Sequence, residues 1–166
     1  MDITNVGRGD PDTPPPYLIT ITPFTRGHIE SVVNIERESF ADPWSVAIFE
    51  NLFQNPLAVY FTALDGAQVV GYAGMYVIFD EGQIQNIAVT AEYRRHGVGS
   101  KLLSHMLDYG TTRDISVYTL EVRVSNLSAI ALYKKFGFIQ TGVRKNYYRR
   151  PVEDALLLER NMTYEN

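Results

Sequence analysis

Three parts of this 166-residue chain carry groups that could do chemistry. The first is the loop 94–100, in which Gly97 and Gly99 stand just before a helix-like apolar pattern. The second is Glu121, a carboxylate inside a strand-like segment, and the third is Tyr133, on a predicted helix. A glycine loop at a helix start suits an anion, whereas a carboxylate and a phenol suit proton transfer.

The loop is typical of a site for a phosphate or diphosphate group. Glycine lets the backbone approach a ligand closely, and the first amides of a helix carry free donors and a partial positive charge. Arg94, Arg95 and Lys101 add positive charge to this stretch of an acidic protein. Two known nucleotide motifs do not fit: the P-loop is absent, and a dinucleotide fingerprint needs glycine where Leu102 stands. The alternative is a tight turn with two solvated arginines.

The other two groups also have structural explanations. Segment 117–123 alternates in strand fashion, so Glu121 and Arg123 share one face. A glutamate within a strand is disfavoured unless something uses it. The alternative is an ion pair between Glu121 and Arg123. Asn126 is a candidate helix N-cap, and Tyr133 on that helix could be a core aromatic.

Apolar periodicity and turn residues predict the elements that must position these groups. A strand over 17–21 is followed by a helix with Thr25 as N-cap, and a second helix starts at Asp42 and Pro43. Asp65-Gly66 predicts a hairpin. The other predicted elements are strands 57–64, 68–79 and 83–89, a helix from Val98 to Gly110, strand 117–124, a helix from Asn126 to Gly137, and strands 142–148 and 155–158. This order predicts one α/β domain with a mixed sheet.

The domain organisation follows from the distribution of proline. Residues 1–16 hold Pro11 and the run 14–16, which cannot build a helix or a central strand. We therefore predict a flexible N-terminal tail over 1–16 and a single domain over 17–166.

Composition narrows the class of protein. The net charge is −4 and the sequence pI is about 5.3, which is a poor match for a nucleic-acid backbone. There is no cysteine, so thiolate chemistry is excluded, and no apolar run reaches the roughly 20 residues of a membrane span. We expect a cytoplasmic protein that binds neither nucleic acid nor membrane. His28, His96 and His105 lack ligand spacing, so no metal site is predicted.

The glycine loop belongs to a recognisable pattern. Arg94-x-x-Gly97-x-Gly99 resembles the R/Q-x-x-G-x-G/A pyrophosphate loop of the GNAT superfamily of N-acetyltransferases. The run from Leu120 to Phe138, with Leu-Glu-Val-Arg-x-Ser-Asn at its start, is similar to the RimI-type ribosomal-protein-alanine N-acetyltransferase family. Further matches are Ser39-Phe40, Pro43-Trp44-Ser45, Asn86-Ile87-Ala88-Val89, Arg144-x-x-Tyr147-Tyr148 and Glu153-Asp154-Ala155. The likeness spans about residues 18–162.

The resemblance implies a GNAT (acyl-CoA N-acyltransferase) fold, with a mixed central sheet of about seven strands flanked by about four helices. It implies acetyl-CoA as cosubstrate and no metal. Glu121 would be the general base and Tyr133 the general acid. The implied cofactor contacts are Ile87, Ala88, Val89, Arg94, Arg95, His96, Gly97, Val98, Gly99, Ser100, Asn126 and Tyr133. The candidate substrate contacts are Trp44, Tyr147 and Tyr148.

The expected acceptor is the N-terminal α-amine of a protein or peptide, with a ribosomal protein that begins with alanine as the candidate. An α-amine of pKa ~7.7–8.0 costs about 1 kcal/mol to neutralise at pH 7, and a lysine near ~10.4 costs about 4–5 kcal/mol. A single carboxylate therefore favours the α-amine. Two alternatives stay open, namely an acetyltransferase for small amines and a module that binds coenzyme A without catalysis.

Overall fold

The computed structural model describes residues 17–162. The predicted tail, residues 1–16, lies outside them. The strands are β1 (Ile19–Pro23), β2 (Ala58–Asp65), β3 (Gln68–Ile78), β4 (Glu81–Val89), β5 (Val117–Arg123), β6 (Ile139–Arg149) and β7 (Val152–Asn161). The α-helices are α1 (Ile29–Ser39), α2 (Val46–Leu52), α3 (Val98–Thr111) and α4 (Leu127–Lys135). Seven strands and four helices in the described residues confirm the predicted fold class.

The seven strands form one mixed sheet in the order β1-β2-β3-β4-β5-β7-β6. Strands β1 to β4 pair antiparallel, and Gly66 supplies the positive φ of +59° that the β2–β3 turn requires. The pair β4–β5 is parallel, whereas β7 runs antiparallel to both β5 and β6. The predicted three-stranded meander is thus confirmed.

The centre of the sheet is open. Pairing between β4 and β5 covers three residues of each strand, from Glu81 opposite Val117 to Gln83 opposite Thr119. Both strands continue past that point, β4 by six residues and β5 by four, without further pairing to each other. The strands therefore part, and a ligand can enter between them.

The helices pack on the two faces of the sheet. Successive residues of a strand point to opposite faces, so Tyr60 joins a cluster with α1 and α2, and Phe61 joins a larger cluster with α3 and α4. The first cluster includes the fully buried Val32 and Phe49, and the second includes Leu102. Helices α3 and α4 thus lie on one face and α1 and α2 on the other.

Two predicted helix boundaries were wrong. Helix α2 begins at Val46 rather than after Asp42, because Ser45 is the N-cap and its hydroxyl accepts from the Ile48 amide. Gly110 does not end α3, which runs one residue further. A Cβ atom at Gly110 would lie 1.6 Å from the hydroxyl oxygen of Tyr118, so close packing explains that glycine.

Candidate active site

A cavity of about 750 Å³ lies against the end of β4, where β4 and β5 have parted. This volume is within the usual range for small-molecule sites. Its walls come from the end of α1, β4, the loop before α3, the first turn of α3, and α4. The lining residues are Ser39, Phe40, Ile87, Ala88, Val89, Tyr93, Arg94, Arg95, Gly97, Val98, Gly99, Ser100, Asn126, Ser128, Ala129, Ala131, Leu132, Tyr133 and Lys135. Every predicted cofactor contact except His96 is among them.

The start of α3 forms a cradle for an anion. Gly97 is the N-cap with φ +78°, and Arg95 before it also has a positive φ, +67°. No side chain caps this helix, and its first bond runs from the Lys101 amide to the Gly97 carbonyl at 3.0 Å. The amides ahead of Lys101 thus have no intrahelical acceptor. A Cβ at Gly97 would meet no atom within 4 Å, so the space in front of this residue is open.

Arg94 makes hydrogen bonds to other parts of the protein. Arg94 is exposed, but its Nε donates to the Val89 carbonyl at 2.9 Å and its Nη2 donates to the Ser39 hydroxyl at 3.4 Å. Arg94 therefore joins the loop to the ends of β4 and α1, while Arg94 and Arg95 both stay exposed to solvent, as the alternative of a tight turn expects. The side chain of His96 turns away from the cavity, because its ring packs edge-on against Tyr17 at 5.1 Å.

Helix α4 brings two predicted residues to the cavity. The side-chain oxygen of Asn126 accepts from the Ala129 amide at 3.2 Å, which confirms the predicted cap. The Tyr133 side chain is buried, and its ring lies 5.5 Å from that of Phe138. Burial, with a smaller contribution from Tyr148, raises the pKa of Tyr133 well above its usual range. The phenol therefore keeps its proton at every ordinary pH.

Glu121 lines a different cavity from Tyr133. A second cavity, of about 400 Å³, lies among β4, β5, β6 and β7, and Glu121 is one of its walls. The Oε1 atom of Glu121 lies 3.8 Å from the Nη2 atom of Arg144. The predicted alternative of an ion pair with Arg123 was wrong, because Arg123 pairs instead with Glu153 at 3.2 Å.

The second cavity is rich in carboxylates. Besides Glu121 it is lined by Glu81 and Glu159, with Arg144 as a basic residue. The hydroxyl of Thr119 donates to the Glu81 carboxylate at 2.8 Å. This arrangement suits a ligand that carries a positively charged group.

Tyr148 lies within electrostatic range of both candidate catalytic residues. Burial raises the pKa of Tyr148 to about 12, with Tyr147 and the Glu121 carboxylate contributing and the Arg123 guanidinium opposing. Tyr148 in turn contributes to the raised pKa of Tyr133. The phenol of Tyr148 therefore lies near Glu121 and Tyr133, although Tyr148 lines neither cavity.

Arg123 holds Tyr148 in that position. Its guanidinium carbon lies 4.1 Å from the centroid of the Tyr148 ring. The guanidinium nitrogens Nη2 and Nη1 donate to the carbonyls of Arg150 and Pro151 at 3.0 and 3.1 Å. Its partner Glu153 also accepts from the backbone amide of residue 125 at 2.7 Å. These contacts of Arg123 were not predicted from the sequence, because they form between β5 and the β6–β7 turn.

Two candidate substrate contacts remain, Tyr147 and Trp44. The Tyr147 side chain is exposed, and its ring is nearly perpendicular to that of Tyr148 at 5.1 Å. Trp44 is half-buried and packs on Phe49 and Tyr60 at 5.6 and 6.4 Å. Trp44 lines neither cavity. Its contact with a substrate stays a prediction.

Within residues 17–162, no group of three or more His, Cys, Asp or Glu side chains is placed to hold a metal ion. None of the helices there has both the length and the apolar character needed to cross a bilayer.

The comparisons with known proteins agree with this geometry. Residues 29–138 match the Acetyltransferase (GNAT) family. A relative from Bacillus subtilis strain 168 is 40% identical over 131 residues, which cover 78% of this chain and 87% of that protein. The [ribosomal protein bS18]-alanine N-acetyltransferase of Escherichia coli K12 is 34% identical over 141 residues, or 84% of this chain and 95% of that one. N-alpha-acetyltransferase RimI of Mycobacterium tuberculosis is 35% identical over 156 residues, or 90% and 95% of the two chains.

Solved structures give the same answer for the fold. The crystal structure of the Escherichia coli ribosomal-protein-S18-alanine N-acetyltransferase superposes with a TM-score of 0.82 at 32% identity, over 90% of this chain and 97% of that one. Arabidopsis thaliana NAA60 in complex with acetyl-CoA superposes with a TM-score of 0.80 at 18% identity, over 87% and 98% of the two chains. The chain therefore belongs to the GNAT family and is an N-acetyltransferase similar to the RimI-type bS18-alanine enzymes.

Proposed function

We propose that this protein transfers the acetyl group of acetyl-CoA to the N-terminal α-amine of a ribosomal protein that begins with alanine. The observation that carries the proposal is the similarity to the Escherichia coli bS18-alanine enzyme over 95% of that enzyme's length. The acidic second cavity supports it, because a protein N-terminus is cationic before it reacts. Such an acceptor would place the reaction in the cytoplasm.

Acetyl-CoA fits the larger cavity as the cosubstrate. Its diphosphate would accept hydrogen bonds from the free amides at the start of α3, with Arg95 supplying nearby charge. Its acetyl and pantetheine parts would lie along Ile87 to Val89, where a backbone amide could polarise the thioester carbonyl. Asn126 and Tyr133 would form the opposite wall.

Glu121 is the proposed base, acting directly or through a water molecule. The α-ammonium must lose a proton before its nitrogen can attack the acetyl carbon, and Glu121 is the carboxylate of the second cavity that β5 carries. The nitrogen–carbon bond then forms while the carbon–sulfur bond breaks, and the nitrogen passes a second proton to solvent as it becomes an amide. The amide product leaves with the acetyl group, and the sulfur leaves with the electron pair of the broken bond.

Tyr133 is the proposed donor to that sulfur. Its raised pKa lies above the ~8.5 of an ordinary thiol, so complete proton transfer to the thiolate is uphill. The phenol therefore stabilises the departing sulfur mainly by donating a hydrogen bond. Tyr148 lies within electrostatic range of Tyr133 and Glu121, so it is suited to contact the acceptor.

Mass spectrometry of three kinds of acceptor tests the proposal. We expect acetyl-CoA to acetylate a peptide that begins with alanine, at its α-amine. The same peptide with a blocked N-terminus and an internal lysine should not react. Turnover of free polyamines with no reaction of any peptide would refute the proposal and favour a small-amine enzyme. A spermidine N-acetyltransferase chimera shares the fold with a TM-score of 0.76, so the fold alone does not choose the acceptor.

Two variants test the assigned roles. We expect Glu121→Gln to lower kcat about 100-fold or more, the usual contribution of a general base. Glu159→Gln, at another carboxylate of the same cavity, is the matched control and should change kcat much less. Tyr133→Phe should also lower kcat, with Tyr109→Phe on α3 as its control. Unchanged turnover in both Glu121→Gln and Tyr133→Phe would place the chemistry elsewhere.

A further inference from the structure

Helix α1 contains a buried carboxyl group that the proposed reaction does not use. Glu36 is 2% exposed and lies on the face of α1 that packs against the sheet. Its Oε1 atom accepts from the backbone amide of Trp44 at 3.0 Å, and its Oε2 atom accepts from the hydroxyl of Tyr72. A carboxyl group in an apolar core costs free energy unless its partners compensate. The presence of a carboxyl group at this buried position therefore needs an explanation.

The contact with Tyr72 continues into the sheet. The Tyr72 hydroxyl oxygen accepts from the side-chain amide of Asn86 at 3.1 Å, and the Asn86 oxygen accepts from the Tyr60 hydroxyl at 3.2 Å. The chain of hydrogen bonds thus crosses β2, β4 and β3 and ends at Glu36 on α1. Each donor in it points toward Glu36, which is the final acceptor.

Asn86 occupies a special place on β4. Opposite β3, Gly74 faces Asn86 but the next residue of β3, Met75, faces Ile84, so Gln85 is an extra residue. This bulge redirects the strand just before Ile87, the first of the three residues expected along the acetyl arm. The hydrogen bonds to Asn86 fix the strand directly after the bulge.

The contact with Trp44 holds a second wall of the site. Residues 40–45 connect α1 to α2 without regular structure, and Phe40 at the start of this segment lines the cofactor cavity. The Glu36 carbonyl accepts from the Phe40 amide at 3.0 Å, while its carboxyl group accepts from the amide at the other end of the segment. Both ends of the segment are thus bound to Glu36.

We propose that Glu36 is a positioning residue for the acceptor, which holds segment 40–45 and the bulged part of β4 in fixed positions relative to each other. The acceptor would pass between these two walls to reach the thioester, so their separation determines how the amine is presented. The effect on the acceptor rests on the proposed function. The anchoring of segment 40–45 does not.

Trp44 provides a direct readout, because it is the only tryptophan of the chain. In Glu36→Ala we expect acrylamide to quench Trp44 fluorescence about twice as efficiently as in the wild type. The Trp44 backbone amide has then lost its acceptor, so segment 40–45 becomes less rigid. Thr62→Val is the matched control: Thr62 is equally buried and hydrogen-bonded, but it does not contact the segment. Its quenching should equal that of the wild type.

Two milder variants separate the two branches. Tyr72→Phe removes the branch to β4 and leaves the Trp44 amide bonded, so quenching should stay at the wild-type value while kcat falls. Glu36→Gln keeps one oxygen to accept from the Trp44 amide. It places an NH2 group, which cannot accept a hydrogen bond, opposite the Tyr72 hydroxyl, so it should behave like Tyr72→Phe. If Glu36→Ala does not fold, a wild-type kcat in both Tyr72→Phe and Glu36→Gln would overturn the proposal.

Kinetics with an alanine-starting peptide complete the test. In Glu36→Ala we expect the KM for the peptide to rise about tenfold, the size of one lost hydrogen bond, while the KM for acetyl-CoA changes less than about threefold. Wild-type quenching in Glu36→Ala, or equal changes in both KM values, would overturn the proposal. If the wild type acetylates no peptide, the proposed function fails, and the quenching data still decide the anchoring.

Discussion

The burial of Glu36 makes the stability of this protein depend on pH in a direction that can be calculated. Burial raises the pKa of Glu36 from 4.5 to about 7, and the hydrogen bond from Trp44 opposes that change. A carboxyl group with a raised pKa keeps its proton in the folded chain at pH values where the unfolded chain has lost it. Stability from this group is therefore complete below about pH 4.5 and falls as the pH rises to about 7.

The size of the effect follows from the same two values. Each pH unit between 4.5 and about 7 changes the free energy of unfolding by about 1.4 kcal/mol. The total loss over that interval is about 3 kcal/mol. This is a large part of the 5–15 kcal/mol that a domain of ordinary stability has.

Urea unfolding of the wild type and of Glu36→Gln, at several pH values from about 4.5 to 8, measures this loss. Glutamine has nearly the same volume and does not titrate, and all other groups titrate alike in both proteins. We expect the wild type to lose about 3 kcal/mol relative to the variant as the pH rises from 4.5 to about 7, with no further change above that. Parallel curves over the whole range would refute the raised pKa, as would a wild type that gains stability with rising pH.

Three other substitutions test the site and the packing around it. Gly97→Asp should abolish acetyl-CoA binding by calorimetry with the fold intact, because its carboxylate would enter the anion cradle. Gly66→Asp, also at a positive φ with open space, is the control, and an unchanged affinity in Gly97→Asp would contradict the cradle. Gly110→Ala should lower the free energy of unfolding by about 3 kcal/mol through its clash with Tyr118, and an unchanged urea midpoint would show that the ring moves away at no cost. Asn126→Ala should cost about 1 kcal/mol by loss of the α4 cap and weaken acetyl-CoA binding, and full stability would exclude the cap.

Local sequence signals predicted the elements around the cofactor cavity well. Asn126 caps α4 as expected, and Gly137 ends it with φ +83°. The bond from the Phe138 amide to the Tyr133 carbonyl at 3.1 Å closes the helix in the predicted way. These signals lie within a few residues of their effect, so sequence alone is sufficient to find them.

The acceptor side was harder to predict because distant contacts determine it. Asp42 and Pro43 looked like a helix start, but the amide of Trp44 is bonded to Glu36 and the chain turns into α2 only after it. A signal for Glu36 was present. It lies three and four residues after Val33 and Val32, and thus on the apolar stripe of α1.

The partners of Glu121 and Arg123 depend on the register of the sheet, which the sequence does not encode locally. Alternation along β5 correctly placed Glu121 and Arg123 on one face, but it could not tell which partner each would meet. Arg123 pairs with Glu153 and contacts the β6–β7 turn, and Arg144 lies near Glu121. Long-range pairing of β5, β7 and β6 produced both results.

The early end of pairing between β4 and β5 has a consequence for the protein without its ligands. Beyond Gln83 and Thr119, the facing edges of the two strands offer each other no partner for their main-chain amides and carbonyls. A bound molecule with amide groups of its own can form hydrogen bonds with these unpaired main-chain groups on either strand. We therefore expect hydrogen–deuterium exchange to slow at Ile87 to Val89 when acetyl-CoA is added. The main-chain groups of β4 that β5 leaves unpaired would then have their partners only in the loaded enzyme.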